Sequence, residues 1–398
     1  MNRGGQGARN RITEFHRKIQ PELIEALQEV FVTDPLDLVN IVHDCEDRFA
    51  EWAEMPYAVG TNSGTTALIV GLLGLGVGPG DEVITVANSD MSDTNAVAAT
   101  GAAAVLCDVK ETDYTIDPEK IETLITDRTK VIMPVDLFGN PSDIVEIRKI
   151  ADRHGLIILQ DAALGTFSED HGKKPGYFAD AVAFSSSATK LIHGLGYGGF
   201  ICLKDAGTAA KCHRLAEYGV DHAMENKDPF CGMKYQCENA LNVKMNAADA
   251  AVIRCKFRYF DGFKQARRQV LAWYEDYLSK IPDICLPRFR PESQPCLREY
   301  PIRVVSDQPG PALRNRLLSE LWKNSIQGST GFTPCVHKRL IGEKYSWPGA
   351  DHLPVSEMLD DRILTLPCDV TTTEEDVEFI ASVIDRFMRS AHDGITEY

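Results

Sequence analysis

The stretch Asp180-Ala-Val-Ala-Phe-Ser-Ser-Ser-Ala-Thr-Lys-Leu-Ile-His-Gly-Leu-Gly-Tyr-Gly-Gly199 concentrates residue types that can do chemistry. An apolar run, Ala181 to Phe184, turns abruptly into the hydroxyls Ser185, Ser186, Ser187 and Thr189. One lysine follows, Lys190, and then a glycine-rich loop. Hydroxyls and free N–H groups at a strand end can hold a phosphate. A lysine set in a mostly apolar wall can have its pKa lowered and attack an aldehyde. The pair points to a phosphorylated aldehyde held as a Schiff base, which is pyridoxal 5'-phosphate. The plainer alternative is a solvated loop with an exposed lysine.

Two other places carry related chemistry. Thr61-Asn-Ser-Gly-Thr-Thr66 lies between a short strand, Tyr57 to Gly60, and a predicted helix, Ala67 to Leu75. Small residues before a helix N-terminus make an anion site, because unpaired N–H groups and the helix dipole face outward. A helix cap at Ser63 or Thr65 explains the same residues without a ligand. Asp161 closes the apolar run Leu156-Ile-Ile-Leu159 and precedes Ala162-Ala163. A carboxylate at a buried strand end needs a partner. A protonated pyridine nitrogen is one, and a helix cap is the other reading.

The elements that must position these residues alternate. Strands are predicted at 83–86, 103–107, 131–135 and 156–159, with helices at 93–100, 117–125 and 142–154. Such alternation predicts an α/β unit with a mostly parallel sheet, which binds ligands at the carboxyl ends of its strands. Gly64, Asp90, Asp161 and Ser185 all follow predicted strands and are expected to converge. Helices are also expected at 12–32, 38–54, 206–218 and 246–280. The basic run in the last of these, from Arg254 to Arg268, reads as a solvated face. Residues 219–241 read as an irregular loop. After Pro282 the pattern becomes α+β: a strand at 299–305, a helix at 311–324, a loop-rich tract, and a closing helix at 374–388 with Thr372 and Thr373 as its capping signal. The domain division expected from this is 1–55, an N-terminal helical segment; 56–245, the large α/β domain; 246–281, a long connecting helix; and 282–398, a smaller α+β domain.

The net charge of −16 argues against nucleic acid and anionic membrane surfaces as partners. Eleven cysteines, scattered and without a C-x-x-C pair, fit reduced thiols in a cytoplasmic protein. The ten histidines show no metal-ligand spacing. No apolar run is long enough for a membrane span. The first residues lack the apolar core of a signal peptide and are expected to be disordered.

Taken in order and spacing, Asn62-Ser-Gly-Thr-Thr-Ala-Leu68, Gly78-Pro-Gly-Asp-Glu-Val83, Asp161-Ala-Ala163, and Phe184-Ser185 followed by Thr189-Lys190 resemble the DegT/DnrJ/EryC1/StrS family of pyridoxal-phosphate aminotransferases. The resemblance implies a fold type I architecture: a large domain with a mostly parallel sheet flanked by helices, plus a smaller α+β domain. It implies Lys190 as the Schiff-base lysine and proton shuttle, Asp161 as partner of the ring nitrogen, and Ala163 under the ring. It also implies that Gly64, Thr65 and Ser185 contact the phosphate. Asn242 matches an asparagine that reaches the phosphate of a neighbouring subunit, so a homodimer with shared sites is implied. Lys244 and His337 are the candidate substrate contacts.

Four positions depart from the family pattern. Asp90 stands where an aromatic residue usually stacks on the ring. Leu164 replaces a Gln or His, Lys244 an Arg, and Asp136 a His. The expected reaction moves an amino group from glutamate or glutamine to a keto-sugar, cyclitol or related keto compound. A lyase, dehydratase or other carbanion enzyme is the second reading. A partner protein with a vestigial pocket is the third, opposed by the presence of Lys190, Asp161 and Ser185 together.

Overall fold

The computed structural model describes residues 17–190, 192–221, 236–306, 310–342 and 344–392. The expected disordered start and residues 222–235 of the irregular loop lie outside the described residues.

The chain enters through α1 (Gln20–Val32) and α2 (Leu38–Ala53). The first unit then runs β1 (Tyr57–Thr61), α3 (Gly64–Gly74), β2 (Glu82–Val86), α4 (Met91–Ala99), β3 (Ala103–Cys107), α5 (Pro118–Ile121), β4 (Thr129–Ile132), α6 (Ile144–His154), β5 (Ile157–Asp161), β6 (Ala181–Ser185), β7 (Gly199–Leu203) and α7 (Ala206–Ala216). Its seven strands lie in the order β1-β7-β6-β5-β4-β2-β3. Only β7 runs against its neighbours; the other pairings are parallel. Strands β2, β6 and β7 are buried along their whole length. Both faces of the sheet are therefore covered, which is why these strands are mostly apolar and do not alternate with polar residues.

Helix α3 covers one face. A Cβ at Gly71 would lie 2.7 Å from Ile201 and 2.9 Å from Leu159, so the missing side chain is what lets the helix sit directly on β7 and β5. Helix α2 covers the other face at the β6–β7 edge. There Phe49 stacks on Phe200 at 3.9 Å between centroids and meets Phe184 edge-on. Each such aromatic pair contributes about 0.5–1.5 kcal/mol beyond its buried area.

Two long helices follow, α8 (Ala247–Lys256) and α9 (Phe260–Leu278), joined by a 3-10 turn at Phe257–Tyr259. The second sheet has three antiparallel strands in the order β10-β9-β8, from β8 (Ile284–Cys285), β9 (Glu299–Val304) and β10 (Ile363–Pro367). Helices α10 (Ala312–Lys323), α11 (Pro354–Arg362) and α12 (Glu374–His392) complete this part. The architecture is the α/β fold with a smaller α+β unit. The capping signal is also present: the Asp376 amide donates to Thr373 Oγ1 at 3.3 Å, and the Thr373 amide to Asp376 at 2.9 Å.

Several expectations are corrected. The tract between the expected helices at 311–324 and 374–388 contains α11 and β10. The helix expected over 246–280 is broken at Phe257. The strand expected over 131–135 ends at Ile132, because Pro134 lacks an amide for the ladder. The basic run of α8 and α9 is not a solvated face. Lys256 and Arg267 are buried, Arg254 pairs with Asp44 and Glu29, and Lys264 with Glu169. These cations tie the helices to α1, α2 and the loop after β5, and only Arg258 among them is exposed.

Glu46 is a buried acid on α2 whose Oε1 accepts the Gly60 amide at 2.6 Å. Burial pushes its pKa from 4.5 to about 8. A folded pKa above the unfolded one stabilises the fold fully below pH 4.5, and that contribution is lost as pH rises through 8. Glu46→Gln keeps the acceptor oxygen and removes the charge. It is expected to match the parent near pH 4 and to exceed it by about 2–4 kcal/mol above pH 9, read by denaturant unfolding at both pH values.

Candidate active site

The expected residues gather at the carboxyl ends of the strands. Asp161 is the last residue of β5 and Ser185 the last of β6. Gly64 opens α3 and Asp90 caps α4. A Cβ at Gly64 would lie 2.8 Å from Ser185 Cβ and 3.0 Å from its Oγ, so only glycine lets the start of α3 approach that hydroxyl. Ser63 caps the helix: its Oγ accepts the Thr66 amide at 3.1 Å, while Thr66 Oγ1 accepts the Ser63 amide at 3.0 Å. The cap explains Ser63 and leaves the amides of Gly64 and Thr65, which the helix itself cannot satisfy. The neighbouring Ser186 hydroxyl, buried and without a partner among the described residues, lies instead against Gly198. Two amides at a helix start and the Ser185 hydroxyl form a cradle that fits a phosphate.

Lys190 is half-buried in the turn after β6. Burial, followed by the positive Arg298, pulls its amine down to about 8, against the pull of Asp161, Asp90 and Glu299. A drop from 10.5 to about 8 raises the neutral amine fraction at pH 7 by about two orders of magnitude. Asp161 is buried, and its Oδ1 accepts the Ala163 amide at 2.7 Å. It therefore makes the local turn contact of the cap reading while lying close enough to Lys190 to act on its charge. Asp90 spends Oδ1 on the Ser92 amide and hydroxyl, at 3.0 and 2.7 Å. Thr65 Oγ1 bonds the same Ser92 hydroxyl at 3.0 Å, which joins the starts of α3 and α4.

The glycine loop beyond Lys190 is anchored from below. Asp249, buried on α8, accepts the amides of Leu195 at 2.5 Å and Gly196 at 3.1 Å. A Cβ on Gly194 would overlap that carboxylate. Lys256, also buried, donates to the His193 carbonyl at 2.7 Å. Asp249→Ala would leave two amides without an acceptor, at about 1–3 kcal/mol. Chemical unfolding should show that loss, and dialysis should show faster escape of the cofactor.

Asn242, Lys244 and His337 stand apart from this cluster. Asn242 Nδ2 donates to the Tyr218 hydroxyl at 2.6 Å, Lys244 pairs with Glu217 at 3.1 Å, and His337 Nε2 meets Glu357 at 3.0 Å. None of the three bonds Lys190, Asp161 or Ser185 among the described residues. The His337 loop does reach the site through its neighbours: the Val336 amide donates to the Ala87 carbonyl at 2.8 Å, and Arg339 Nη2 to the Ser89 carbonyl at 2.8 Å. Leu164 packs against the core. Asp136 is buried below the site, where it accepts the Ser142 amide and the Gln160 side chain, and burial raises its pKa to about 8.

Sequence reasoning missed Asp93, Asp249 and Arg339. The spacing of Asp90 and Asp93 was a usable signal, since residues three apart at a helix start share a face.

A model of the DegT/DnrJ/EryC1/StrS aminotransferase family matches residues 17–385, and the chain belongs to that family. It is 33% identical over 325 residues to a dTDP-3-amino-3,4,6-trideoxy-alpha-D-glucose transaminase of Streptomyces venezuelae, covering 81% of this chain and 80% of that protein. The solved structure of DesV from S. venezuelae in complex with a ketimine intermediate superposes with a TM-score of 0.84 at 28% identity, covering 94% and 96% of the two chains. NtdA of Bacillus subtilis, solved with its cofactor PMP bound, superposes with a TM-score of 0.81 at 26% identity, covering 94% and 82%. The fold is that of the fold type I aminotransferases, and the protein is an aminotransferase dependent on pyridoxal phosphate.

Proposed function

We propose that this enzyme moves an amino group from glutamate or glutamine to a keto group of a nucleotide-linked sugar, a cyclitol or a related small molecule. The observation that carries the reading is the gathering at the strand ends of Lys190, whose amine burial depresses, with the Asp161 carboxyl that acts on it and the Gly64–Ser185 contact. Bound there, pyridoxal phosphate supplies the electron sink that a carbanion at the substrate carbon requires.

The chain's own residues do the rest. The Gly64 and Thr65 amides and the Ser185 hydroxyl hold the phosphate. Asp161 would accept a hydrogen bond from the protonated ring nitrogen and keep it charged, and Ala163, small beside it, would leave room for the ring. Lys190 would hold the aldehyde carbon of the cofactor, and its amine, when free, would be the group that carries the proton. Asp90 adds negative charge beside Lys190 where relatives stack an aromatic ring. The His337 loop, which reaches the site through Val336 and Arg339, would meet the substrate, with Lys244 assigned by the family resemblance alone, and the exchange follows a ping-pong order.

The named relatives favour transamination over elimination. Supplied with glutamate and nucleotide-linked keto-sugars, the enzyme should form an amino sugar and 2-oxoglutarate in equal amounts. Release of ammonia or water without an amino sugar would instead select the lyase reading.

Asn242 supports a homodimer with shared sites, and the absence of a long apolar helix among the described residues accords with a cytoplasmic protein. The four-part division at residues 55, 245 and 281 belongs to the same proposal. Mixing Lys190→Ala chains with Asn242→Ala chains should then restore part of the activity, because one site of each hybrid has both groups intact. Hybrids no more active than either parent would return Asn242 to a structural role.

A further inference from the structure

A second carboxyl lies beside Asp161 that the proposed mechanism does not use. Asp93 is the third residue of α4, is 1% exposed, and points away from water. Neither of its oxygens receives a hydrogen bond in good geometry from an N–H or O–H of the described residues. The carboxyl beside it is that of Asp161, close enough for each group to act on the other's protonation. Two ionised carboxylates have only acceptors to offer each other, so this contact requires a proton. Asp161 already accepts the Ala163 amide, which favours its charged form. Asp93 has only the Ser89 side chain to favour its charge, and no donor in hydrogen-bond geometry among the described residues, so the shared proton resides on Asp93.

We propose that Asp93 is a neutral carboxylic acid that donates to the Asp161 carboxylate, so that the pair presents a single negative charge to the cofactor's ring nitrogen. This rests on the role given to Asp161 above. Asp93 is thereby a positioning residue: it fixes the Asp161 carboxylate and lowers its proton affinity toward the ring.

The surroundings agree. Burial first, then the charge of Asp161, pushes Asp93 far above the usual carboxylate range, and Asp90 adds to the push. The Ser89 side chain opposes it. Arg339 faces the group from the 331–339 loop but gives its Nη2 to the carbonyls of Ser89 and Phe332. Lys190 faces Asp161. Helix α3, packed against α4, carries no titratable residue. Glu82 sits at the other end of β2 with Arg128, and Cys107 is a buried thiol at the end of β3. The α4 dipole favours an anion at Asp93, but its effect is small against the cost of burying a second charge beside Asp161.

The test uses the enzyme loaded with pyridoxal phosphate labelled with ¹⁵N in the ring. At neutral pH its infrared spectrum should contain a protonated-carboxyl stretch that Asp93→Asn removes; the separate band of Asp136 is removed by Asp136→Asn. The ring-nitrogen resonance is then followed against pH. Asp93→Asn keeps a donor and should titrate close to the parent. Asp93→Leu removes the donor and should raise the midpoint by about one to two pH units, the size of one lost hydrogen bond to a charged group. Absence of the Asp93 band overturns the proposal. So does a fall in the midpoint with Asp93→Leu, which is what removal of a negative charge would give. If Asp93→Leu does not fold, the band and Asp93→Asn decide alone. Failure of the parent enzyme to bind the cofactor overturns the active-site reading and this inference together; binding without the Asp93 band overturns this inference only.

Discussion

Lys190→Ala is expected to reduce turnover by at least about 10⁴-fold, the scale of losing a positioned general acid–base, and here the covalent anchor is lost with it. The fold should persist, because the Lys190 side chain makes no hydrogen bond or ion pair among the described residues, the hydrogen bond from its amide to the Ser187 carbonyl survives the change, and the loop beyond it is held by Asp249 and Lys256. The phosphate cradle is independent of the lysine, so the variant should still bind pyridoxal phosphate, more weakly and without the absorbance of a lysine adduct. Small amines added to the assay should restore part of the proton transfer. Turnover within tenfold of the parent would remove Lys190 from the chemistry.

Asp161→Asn has the second largest expected effect. The substitution keeps the size of the side chain and an oxygen for the Ala163 amide at 2.7 Å, so stability should change little. What is lost is the buried charge opposite the ring nitrogen. Breaking a buried charge pair costs about 3–5 kcal/mol, which corresponds to about 10²–10⁴-fold in rate if the pair persists in the transition state. The loss should appear in kcat and in kcat/KM alike, measured at saturating cofactor. Near-normal kcat would leave Asp161 as a turn-forming carboxylate and nothing more.

The elements carrying these residues were legible because each is locally determined. The strands Glu82–Val86, Ala181–Ser185 and Gly199–Leu203 are buried through their length and mostly apolar, and the small residues that follow two of them are where a parallel sheet opens to ligands. What failed depended on distant partners. Helix α11 begins at Pro354, which reads as a breaker although proline suits a first helical turn. Its start is satisfied by Asp108, which accepts the amides of Val355 at 3.1 Å and Ser356 at 2.7 Å from the end of β3. No local pattern announces a cap supplied from nearly 250 positions away. The basic run of α8 and α9 was misread for the same reason, since its acidic partners Glu29, Asp44 and Glu169 come from other elements. Asp93 was hidden among 58 acidic residues, and only its burial beside Asp161 distinguishes it.

The most direct test of the account is the position of the covalent attachment. The purified protein is loaded with pyridoxal phosphate, reduced with borohydride to fix the cofactor, digested, and mapped by mass spectrometry. The account predicts the added mass on Lys190, at one equivalent per chain, with none on Lys244 or Lys256. A cofactor fixed to any other lysine, or none fixed in protein shown to retain it, would contradict the active site described above.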